Sequence, residues 1–323
     1  MIMITVAFLL GLILCLLFGV PYIDFLRKKT IGQYVKDVAP EAHAQKQGTP
    51  TTGGIFIISA VIIASVIVLM LAQKLNTDGF IILLTLLFYT IAGFQDDYLK
   101  IKGKGNDGLS AKGKLMRQIA IAMLPVLFVM TTNPDAARFA VGHWVFNLHM
   151  WFYPIAAVFI ITGSSNAYNL TDGLDGLAAS TGIFAFIACA LLTLYNGHAQ
   201  AAIISAAVAG ALLGFLKFNK PKAQVFMGDT GSLALGGLLG TLAVMGKFEF
   251  LLIFIGGVYV LETLSVIIQV ACFKMTGKRI FKMSPVHHHF ELAGWSEKKI
   301  VIVFTAISML LSVLAVFMGV MYG

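Results

Sequence analysis

The chain contains 323 residues, of which 59% are apolar and only 12% are charged, and its formal net charge is +8. Soluble domains carry about a quarter charged residues, so this composition excludes an ordinary soluble protein and indicates a chain that crosses a membrane several times. The three cysteines all lie inside apolar runs, which argues against a disulfide framework or a zinc cluster. No nucleic-acid-binding module accompanies the positive charge, so the sequence favours contact with anionic lipid over nucleic acid.

A membrane-spanning helix needs about 20 mainly apolar residues. Ten segments of the chain fit this description, although the fifth and eighth are short. They are Met1–Ile23, Gly53–Ala72, Gly79–Phe94, Met116–Thr131, Trp151–Ser165, Leu177–Tyr195, Ala199–Phe218, Ser232–Met245, Leu251–Phe273 and Ile300–Tyr322.

The basic residues predict the orientation of these segments. If the chain starts outside and alternates, the inside connections are 24–52, 95–115, 166–176, 219–231 and 274–299. Of the 23 Lys and Arg residues, only Lys74, Arg138 and Lys247 then lie outside, which is a strong positive-inside bias. The sequence therefore predicts an all-α integral membrane protein with ten transmembrane helices and both termini outside. Residues 1–323 form one polytopic domain, whose five cytoplasmic loops would carry any active site.

Most of the acidic residues lie in or beside the inside connections, although the positive-inside rule makes no such demand on acids. These residues are Asp24, Asp37, Glu41, Asp96, Asp97, Asp107, Asp172, Asp175, Asp229, Glu291 and Glu297. The adjacent pair Asp96 and Asp97 ends the third span, and on a continuing helix Lys100 shares its face. Two neighbouring carboxylates repel each other unless a cation lies beside them. The pair indicates a cation-binding site or, alternatively, a local ion pair at a helix end.

A second group of polar side chains recurs every three residues between the fifth and sixth spans: Asn166, Asn169, Asp172 and Asp175. If this stretch is helical, the four form one slowly drifting polar stripe. Oxygen ligands of this kind suit Mg²⁺. A solvated loop is the alternative, but such a loop has no need of four carboxylate or amide groups in register.

Asp229 opens the eighth span between Gly228 and Gly231. It is a candidate N-cap, but the same geometry leaves backbone N–H groups free for an anion, and nearby lysines favour a phosphate site. The segment Lys46–Gly54 combines hydroxyls with Pro and Gly, and it serves either helix capping or phosphate binding.

Three successive histidines, His287, His288 and His289, lie in the last inside connection. On a helix they point in different directions, which argues against a shared metal and favours hydrogen bonds to phosphate or sugar oxygens. Glu262 lies within the ninth span and is therefore a functional candidate, although the sequence names no partner for it and a neutral buried carboxyl is equally compatible.

Together these segments resemble the phospho-N-acetylmuramoyl-pentapeptide transferase family of the polyprenyl-phosphate N-acetylhexosamine-1-phosphate transferase superfamily. Five stretches carry the resemblance, and they occur in the same order: Lys46–Gly54, Asp96–Lys100, Asn166–Gly176, Val225–Ser232 and Ser284–Glu291. The last of them resembles the muramoyl branch rather than its N-acetylglucosamine relatives.

The resemblance implies transfer of phospho-MurNAc-pentapeptide from UDP to undecaprenyl phosphate, which gives lipid I and UMP. It also implies Mg²⁺ dependence, catalysis on the cytoplasmic side of a bacterial cytoplasmic membrane and a homodimer. By resemblance, Asp96, Asp97 and Asp229 are catalytic, and Asn169 and Asp229 bind magnesium. The uridine pocket would comprise Lys46, Asp175, Asn219 and Phe226, and further substrate contacts would be Lys100, Lys104, Lys112, Asn169, Asp172, His287, His288 and His289.

Chemistry supports this expectation independently, because a lipid phosphate that attacks a diphosphate brings at least three negative charges together and needs a divalent cation and lysines nearby. A phosphate monoester is largely dianionic at pH 7, so we expect direct attack, with Asp97 chiefly positioning the lipid phosphate or the metal. A two-step scheme through an aspartyl-phosphate remains open. Transfer of N-acetylglucosamine-1-phosphate is the alternative within the enzyme class. A transporter of a phosphorylated solute is the alternative from another class, but the acids cluster on one face rather than at the midplane.

Overall fold

The computed structural model describes residues 1–29, 48–103, 108–141 and 144–322, and within them the fold is almost entirely helical. The helices are α1 (Ile2–Lys28), α2 (Gly54–Leu71), α3 (Thr77–Lys102), α4 (Ala111–Thr132), α5 (Tyr153–Thr171), α6 (Leu177–Tyr195), α7 (Ala199–Asn219), α8 (Gly228–Gly246), α9 (Leu252–Ile255), α10 (Gly257–Thr276), α11 (Val286–Leu292) and α12 (Glu297–Tyr322). A short antiparallel hairpin, β1 (Arg138–Val141) and β2 (Trp144–Asn147), joins α4 to α5.

Within the described ranges, eight helices are long and apolar enough to cross a membrane: α1, α2, α3, α4, α6, α7, α10 and α12. A helix satisfies all of its internal backbone polar groups, as a lipid environment requires. The chain is therefore a mostly helical protein with several membrane-spanning helices. The other two long helices, α5 and α8, contain 19 residues each and correspond to the two short predicted segments.

The helices pack through small residues, which allow their backbones to approach closely. In the contact between α1 and α7, a side chain at Gly11 would collide with the backbone of Ala207, and one at Gly210 would collide with the backbone of Phe8. Helix α8 lies at the centre of the bundle, where α2, α3, α4, α5 and α6 contact it. Every residue of α8 from Asp229 to Gly246 is buried.

The structure corrects several predicted boundaries. The third span does not end at Phe94, because α3 continues to Lys102 and therefore carries the acidic pair on a helix. The fifth span likewise extends to Thr171. The ninth span, predicted as one segment from Leu251, is broken at Gly256 into α9 and α10, where two adjacent glycines disfavour a continuous helix. The hairpin between α4 and α5 was not predicted.

One end of the bundle gathers the polar segments. Helices α3 and α5 end there, whereas α4 and α8 begin there. The ends of α3 and α5 carry Asp97 and Asn169, and the first turn of α8 carries Asp229. The antiparallel packing of these helices therefore brings together residues that are 60 to 132 positions apart in sequence, as their hydrogen bonds demonstrate.

Candidate active site

The two carboxylates of the acidic pair at the end of α3 contact different partners. Asp96 forms an ion pair with Lys100 one turn further along the helix, at 2.6 Å, and its Oδ1 accepts a hydrogen bond from the backbone N–H of Leu109 at 2.8 Å. Asp97 points to the start of α8 instead. The two carboxylates are both buried, and they diverge because consecutive residues of a helix lie about 100° apart.

Asp97 holds the N-terminus of α8. Its Oδ1 accepts a hydrogen bond from the backbone N–H of Asp229 at 3.0 Å, and its Oδ2 accepts from the backbone N–H of Thr230 at 2.9 Å and from the Thr230 hydroxyl at 2.5 Å. A carboxylate at this position satisfies helix N–H groups that have no partner within the helix and interacts favourably with the helix dipole. Asp97 therefore caps the N-terminus of α8, an interaction that the sequence analysis considered for Asp229. The helix itself begins at Gly228, so the N-cap alternative for Asp229 is wrong.

Asp229 is the residue at which four helices meet. Its Oδ2 lies 3.0 Å from the Lys100 ammonium of α3 and 2.6 Å from the Lys114 ammonium of α4. Its Oδ1 accepts a hydrogen bond of 2.7 Å from the side-chain amide of Asn169 on α5, and that amide also bonds the Ser232 hydroxyl at 2.7 Å. Both oxygens of this buried carboxylate therefore have fixed partners.

Close backbone contacts hold Asp229 in place. A side chain at Gly93 of α3 would collide with the carbonyl oxygen of Asp229, and one at Gly54 of α2 would collide with the backbone of Gly231. Gly228 has a positive φ of 71°, a conformation that glycine adopts without strain. These contacts leave the first turn of α8 little freedom to move.

The oxygen atoms fit a hard divalent cation. One carboxylate oxygen from each of Asp96, Asp97 and Asp229 lies within 4.8 Å of the others. Hard cations such as Mg²⁺ prefer oxygen ligands of this type. The ammonium groups of Lys100 and Lys114 balance two of the three negative charges, so the group retains a net attraction for cations.

The four polar residues of the predicted stripe serve different purposes. Asn169 contacts Asp229, whereas the side-chain amide of Asn166 donates to the side chain of Gln118 at 2.7 Å. Asp172 caps the end of α5, and Asp175 lies in the turn beyond it. The helical stripe therefore ends before its last member, and Asp172 and Asp175 belong to the connection between α5 and α6.

Hydrogen bonds join this connection to the loop between α7 and α8. The Asp175 carboxylate accepts hydrogen bonds from the backbone N–H groups of Lys222 at 3.1 Å and Ala223 at 3.0 Å. Asn219 accepts a bond from Gly176 N–H at 3.0 Å and donates to the Val225 carbonyl oxygen at 3.0 Å. Asp175 and Asn219, both predicted in a uridine pocket, are buried and bind backbone groups of the two loops.

Phe226, the predicted stacking residue, is half-buried and directly follows Val225, whose carbonyl oxygen bonds Asn219. Its backbone N–H donates to the Pro50 carbonyl oxygen at 2.8 Å, and its carbonyl oxygen accepts from the Gly53 N–H at 2.8 Å. Backbone hydrogen bonds therefore pair the segment before α2 with the segment before α8. Lys46 and Lys104 lie outside the described residues.

The three histidines of α11 point in different directions, as predicted. His287 is fully buried and its Nδ1 lies 3.1 Å from Oε1 of Glu262. The Nδ1 of His288 lies 2.6 Å from Oε2 of Glu291, and Nδ1 of His289 accepts a hydrogen bond from the backbone N–H of Lys282 at 3.1 Å.

Comparison with known proteins identifies the family. A family model described as glycosyl transferase family 4 matches residues 79–247. A phospho-N-acetylmuramoyl-pentapeptide-transferase of Bacillus subtilis (strain 168) is 46% identical over 313 residues, which are 97% of this chain and 96% of the relative. The corresponding proteins of Bacillus licheniformis and Shouchella clausii are 44% and 46% identical, over 97% and 93% of this chain and 96% and 92% of their own lengths. The chain belongs to the phospho-N-acetylmuramoyl-pentapeptide-transferase family.

Membership of this family confirms the resemblance on which the sequence analysis relied. The region that matches the family model contains the acidic pair of α3, Lys114, Asn169 and Asp229. The residues that bond one another at the end of the bundle therefore lie in the part of the chain shared with other members of glycosyl transferase family 4.

The sequence analysis did not single out Lys114, whose ammonium lies closer to Asp229 than that of Lys100. The family resemblance pointed to Lys112 instead. In the structure Lys112 is exposed, whereas Lys114 is partly buried. The spacing of Lys114 and Gln118, one helical turn apart, could have indicated that both lie on one face of α4. In the structure Gln118 on that helix contacts Asn166 of α5. Thr230 and Ser232 were also missed, although both lie in the first turns of α8 beside Asp229.

Proposed function

We propose that this chain transfers phospho-MurNAc-pentapeptide from UDP-MurNAc-pentapeptide to undecaprenyl phosphate, forming lipid I and releasing UMP. The observation that carries the proposal is the meeting of Asp96, Asp229, Lys100 and Lys114 at the ends of apolar helices. A lipid-linked nucleophile and a water-soluble nucleotide can reach such a site from opposite sides. The name of the relatives, which cover nearly the whole chain, states the transferred group.

We place this site at the cytoplasmic face of a bacterial cytoplasmic membrane. The proposed topology has ten crossings, with α5 and α8 added to the eight apolar helices, one polytopic domain and both termini outside. Lys74 and Lys247, two of the three basic residues assigned to the outside, follow the ends of α2 and α8 that lie away from Asp229, whereas Lys100 and Lys114 lie beside it, as the positive-inside rule favours. A homodimer, implied by the family resemblance, belongs to the same proposal, and light scattering of the purified protein tests it.

In the proposed reaction, an oxygen of the carrier phosphate attacks the β-phosphorus of the nucleotide sugar. The bond between that phosphorus and the bridging oxygen breaks, and UMP leaves with the bond electrons. Lys100 and Lys114 supply positive charge for the phosphate oxygens, and Asp96 orients Lys100. Asp97 acts on Asp229 rather than on substrate, because its oxygens already bind the start of α8.

Asp229 and Asn169 are the proposed magnesium ligands, with Asp96 close enough to contribute an oxygen. The cation, when bound, neutralises charge that develops on the diphosphate oxygens. Asn169 now directs its amide nitrogen at Asp229, and rotation of the amide presents its oxygen instead. Lys100 and Lys114 hold the Asp229 carboxylate in the geometry that such a ligand needs.

The nucleotide end of the substrate is proposed to lie where the loops before α2 and α8 meet. Phe226 offers a partly exposed ring for stacking, and Asp175 and Asn219 fix the loop that carries it. Lys46, Lys104, Lys112 and Asp172 complete the proposed set of substrate contacts. His288 and His289 are proposed to contact phosphate or sugar oxygens from α11.

Direct attack is the mechanism that the geometry favours. Two lysines bond Oδ2 of Asp229 and lower the nucleophilicity of its carboxylate, and the carrier phosphate, already largely dianionic at pH 7, needs no protein nucleophile. A chiral, isotopically labelled β-phosphate separates the schemes. Inversion of configuration supports direct attack, whereas net retention would establish an aspartyl-phosphate intermediate.

The function itself is tested with purified protein, UDP-MurNAc-pentapeptide, UDP-GlcNAc, undecaprenyl phosphate and Mg²⁺. We expect UMP release and a lipid product with the mass of lipid I. A lipid carrying N-acetylglucosamine would favour the other branch of the superfamily. Solute movement across proteoliposomes without any lipid product would favour a transporter and overturn the proposal.

A further inference from the structure

A carboxylate is buried in the second turn of α10. Glu262 is fully buried, and a charge at such a position is costly unless a partner compensates it. The partner lies on α11: Oε1 of Glu262 lies 3.1 Å from Nδ1 of His287, and Oε2 accepts a hydrogen bond from the backbone N–H of His287 at 3.4 Å. Glu262 therefore contacts both the ring and the backbone N–H of His287, the second residue of α11.

The other side of the His287 ring contacts the connection between α5 and α6. A side chain at Gly173 would collide with Nε2 of His287, so backbone and ring touch directly. Nε2 is buried and has no hydrogen-bond partner among the described residues, and the 3.1 Å contact between Nδ1 and Oε1 of Glu262 does not have hydrogen-bond geometry either. A carboxylate oxygen can only accept, however, so a ring proton is more favourable on Nδ1, which faces Glu262, than on Nε2, which faces the backbone of Gly173.

The connection that His287 touches is the one that reaches the nucleotide side of the site. Asp172 and Asp175 lie on either side of Gly173 in this connection, and Asp175 fastens it to the loop before α8. A shift of the His287 ring would be transmitted to Gly173 and then to both aspartates, because closely packed interiors transmit displacement.

We propose that Glu262 is a positioning residue for the nucleotide substrate. Its carboxylate holds the Nδ1–H tautomer of His287, and the ring in turn sets the position of the Asp172–Asp175 connection. Glu262 is far too buried to contact substrate, so it acts through His287 and Gly173. The inference rests on the proposed function, since the substrate whose binding it affects is the uridine nucleotide.

The first test is kinetic and uses Glu262→Gln, which keeps the shape of the side chain but removes its charge. We expect KM for UDP-MurNAc-pentapeptide to rise about tenfold, equivalent to about 1.4 kcal/mol, with KM for undecaprenyl phosphate unchanged. The matched control is Thr263→Val, which removes a hydroxyl that bonds the Tyr259 carbonyl oxygen of the same helix and should leave both KM values unchanged. A purely structural role would lower the fraction of active enzyme, and so kcat, without changing KM.

Gly173→Ala provides a second variant that disturbs the same contact from the other side. We expect it to raise the same KM, and we expect the double variant with Glu262→Gln to be little worse than the stronger single variant, because both act through one ring. Fully additive effects, or an unchanged KM in Glu262→Gln, would overturn the inference.

The second test reads the tautomer directly in protein with ¹⁵N-labelled histidine, using His287→Gln to assign the signal. We expect a protonated Nδ1 and an unprotonated Nε2 in the wild-type chain, and loss of this pattern in Glu262→Leu. A protonated Nε2 with an unprotonated Nδ1 in the wild type would overturn the inference. This readout does not depend on turnover, so it fails separately from the proposed function, which fails if the wild-type protein makes no lipid product.

Discussion

The most informative perturbation is Asp97→Asn, because it separates a residue that organises the site from one that reacts. Asp97 accepts three hydrogen bonds from Asp229 and Thr230 at the start of α8. Asparagine keeps one accepting oxygen but turns an NH₂ group towards backbone donors. Hydrogen bonds to a charged group contribute about 1.5–3 kcal/mol each, and a buried donor left unsatisfied costs about 1–3 kcal/mol. We therefore expect a loss of about 2–4 kcal/mol in stability, allowing for partial relaxation.

The functional cost follows from displacement of Asp229. A misplacement of about 1 Å can reduce turnover by about a hundredfold, so we expect a fall in kcat of that order. The assay is thermal denaturation in detergent together with initial rates of UMP release. Asp96→Asn is the matched control: its oxygen still accepts from Leu109 N–H, so activity should fall with a smaller change in thermal stability. If Asp97→Asn retains wild-type thermal stability and loses only activity, Asp97 acts on the substrate and our reasoning is refuted.

Three further predictions concern residues around the site and at the opposite end. Lys114→Met should reduce kcat at least tenfold because it removes a charge bonded to Asp229, whereas Arg117→Met, an exposed change on the same helix, should reduce it far less; equal effects in initial-rate assays would contradict this. Gly54→Ala should lower the thermal denaturation midpoint, since its methyl group would collide with Gly231; an unchanged midpoint would show that α2 can shift freely. Lys247→Met should destabilise the end of the bundle that lies away from Asp229 without changing KM, as measured by denaturation and kinetics, and a changed KM would contradict a purely structural role.

The last of these predictions depends on a compact group of side chains below the hairpin. The Lys247 ammonium donates to the Ala136 carbonyl oxygen at 2.7 Å and to Glu249 at 2.9 Å, and it lies about 5 Å from the rings of Phe139 and Tyr153. Burial raises the pKa of the Glu249 carboxyl, although the nearby ammonium lowers it. Loss of Lys247 leaves a buried carboxylate without this cation, which is a destabilising change.

The length of apolar runs predicted the eight helices that are long and apolar enough to cross a membrane, because lipid imposes a simple rule, about 20 apolar residues in a helix. Hydropathy did not predict the helix boundaries that depend on packing between helices rather than on the surrounding lipid. The break at Gly256 between α9 and α10 lies within a continuous apolar run, so hydropathy carries no signal for it. Helix α3 continues past Phe94 into a polar segment because that segment is bonded to α8, a contact that no local pattern reveals.

The composition of the site was predictable, but the division of work within it was not. Motifs at inside connections predicted that Asp96, Asp97, Asn169 and Asp229 would share one region, and their mutual contacts agree. Which of two adjacent aspartates faces α8 depends on the rotation of α3 about its axis, which is set by packing. The partner of Glu262 was unpredictable for the same reason, since it comes from a separate helix.

The structure also explains why these residues are gathered around the first turn of α8. Backbone hydrogen bonds join Gly53 and Gly54 to Phe226 and Met227, Asp97 caps the helix, and Asn169 bonds the Asp229 side chain. Three separate segments thus restrain one turn, so in the proposed reaction the carboxylate would need little rearrangement when charge develops beside it. Preorganised charges of this kind are effective because they cost no reorganisation at the moment of reaction. The same restraint makes the site vulnerable at its supports, which is why a capping residue such as Asp97 should affect turnover as strongly as a residue that touches phosphate.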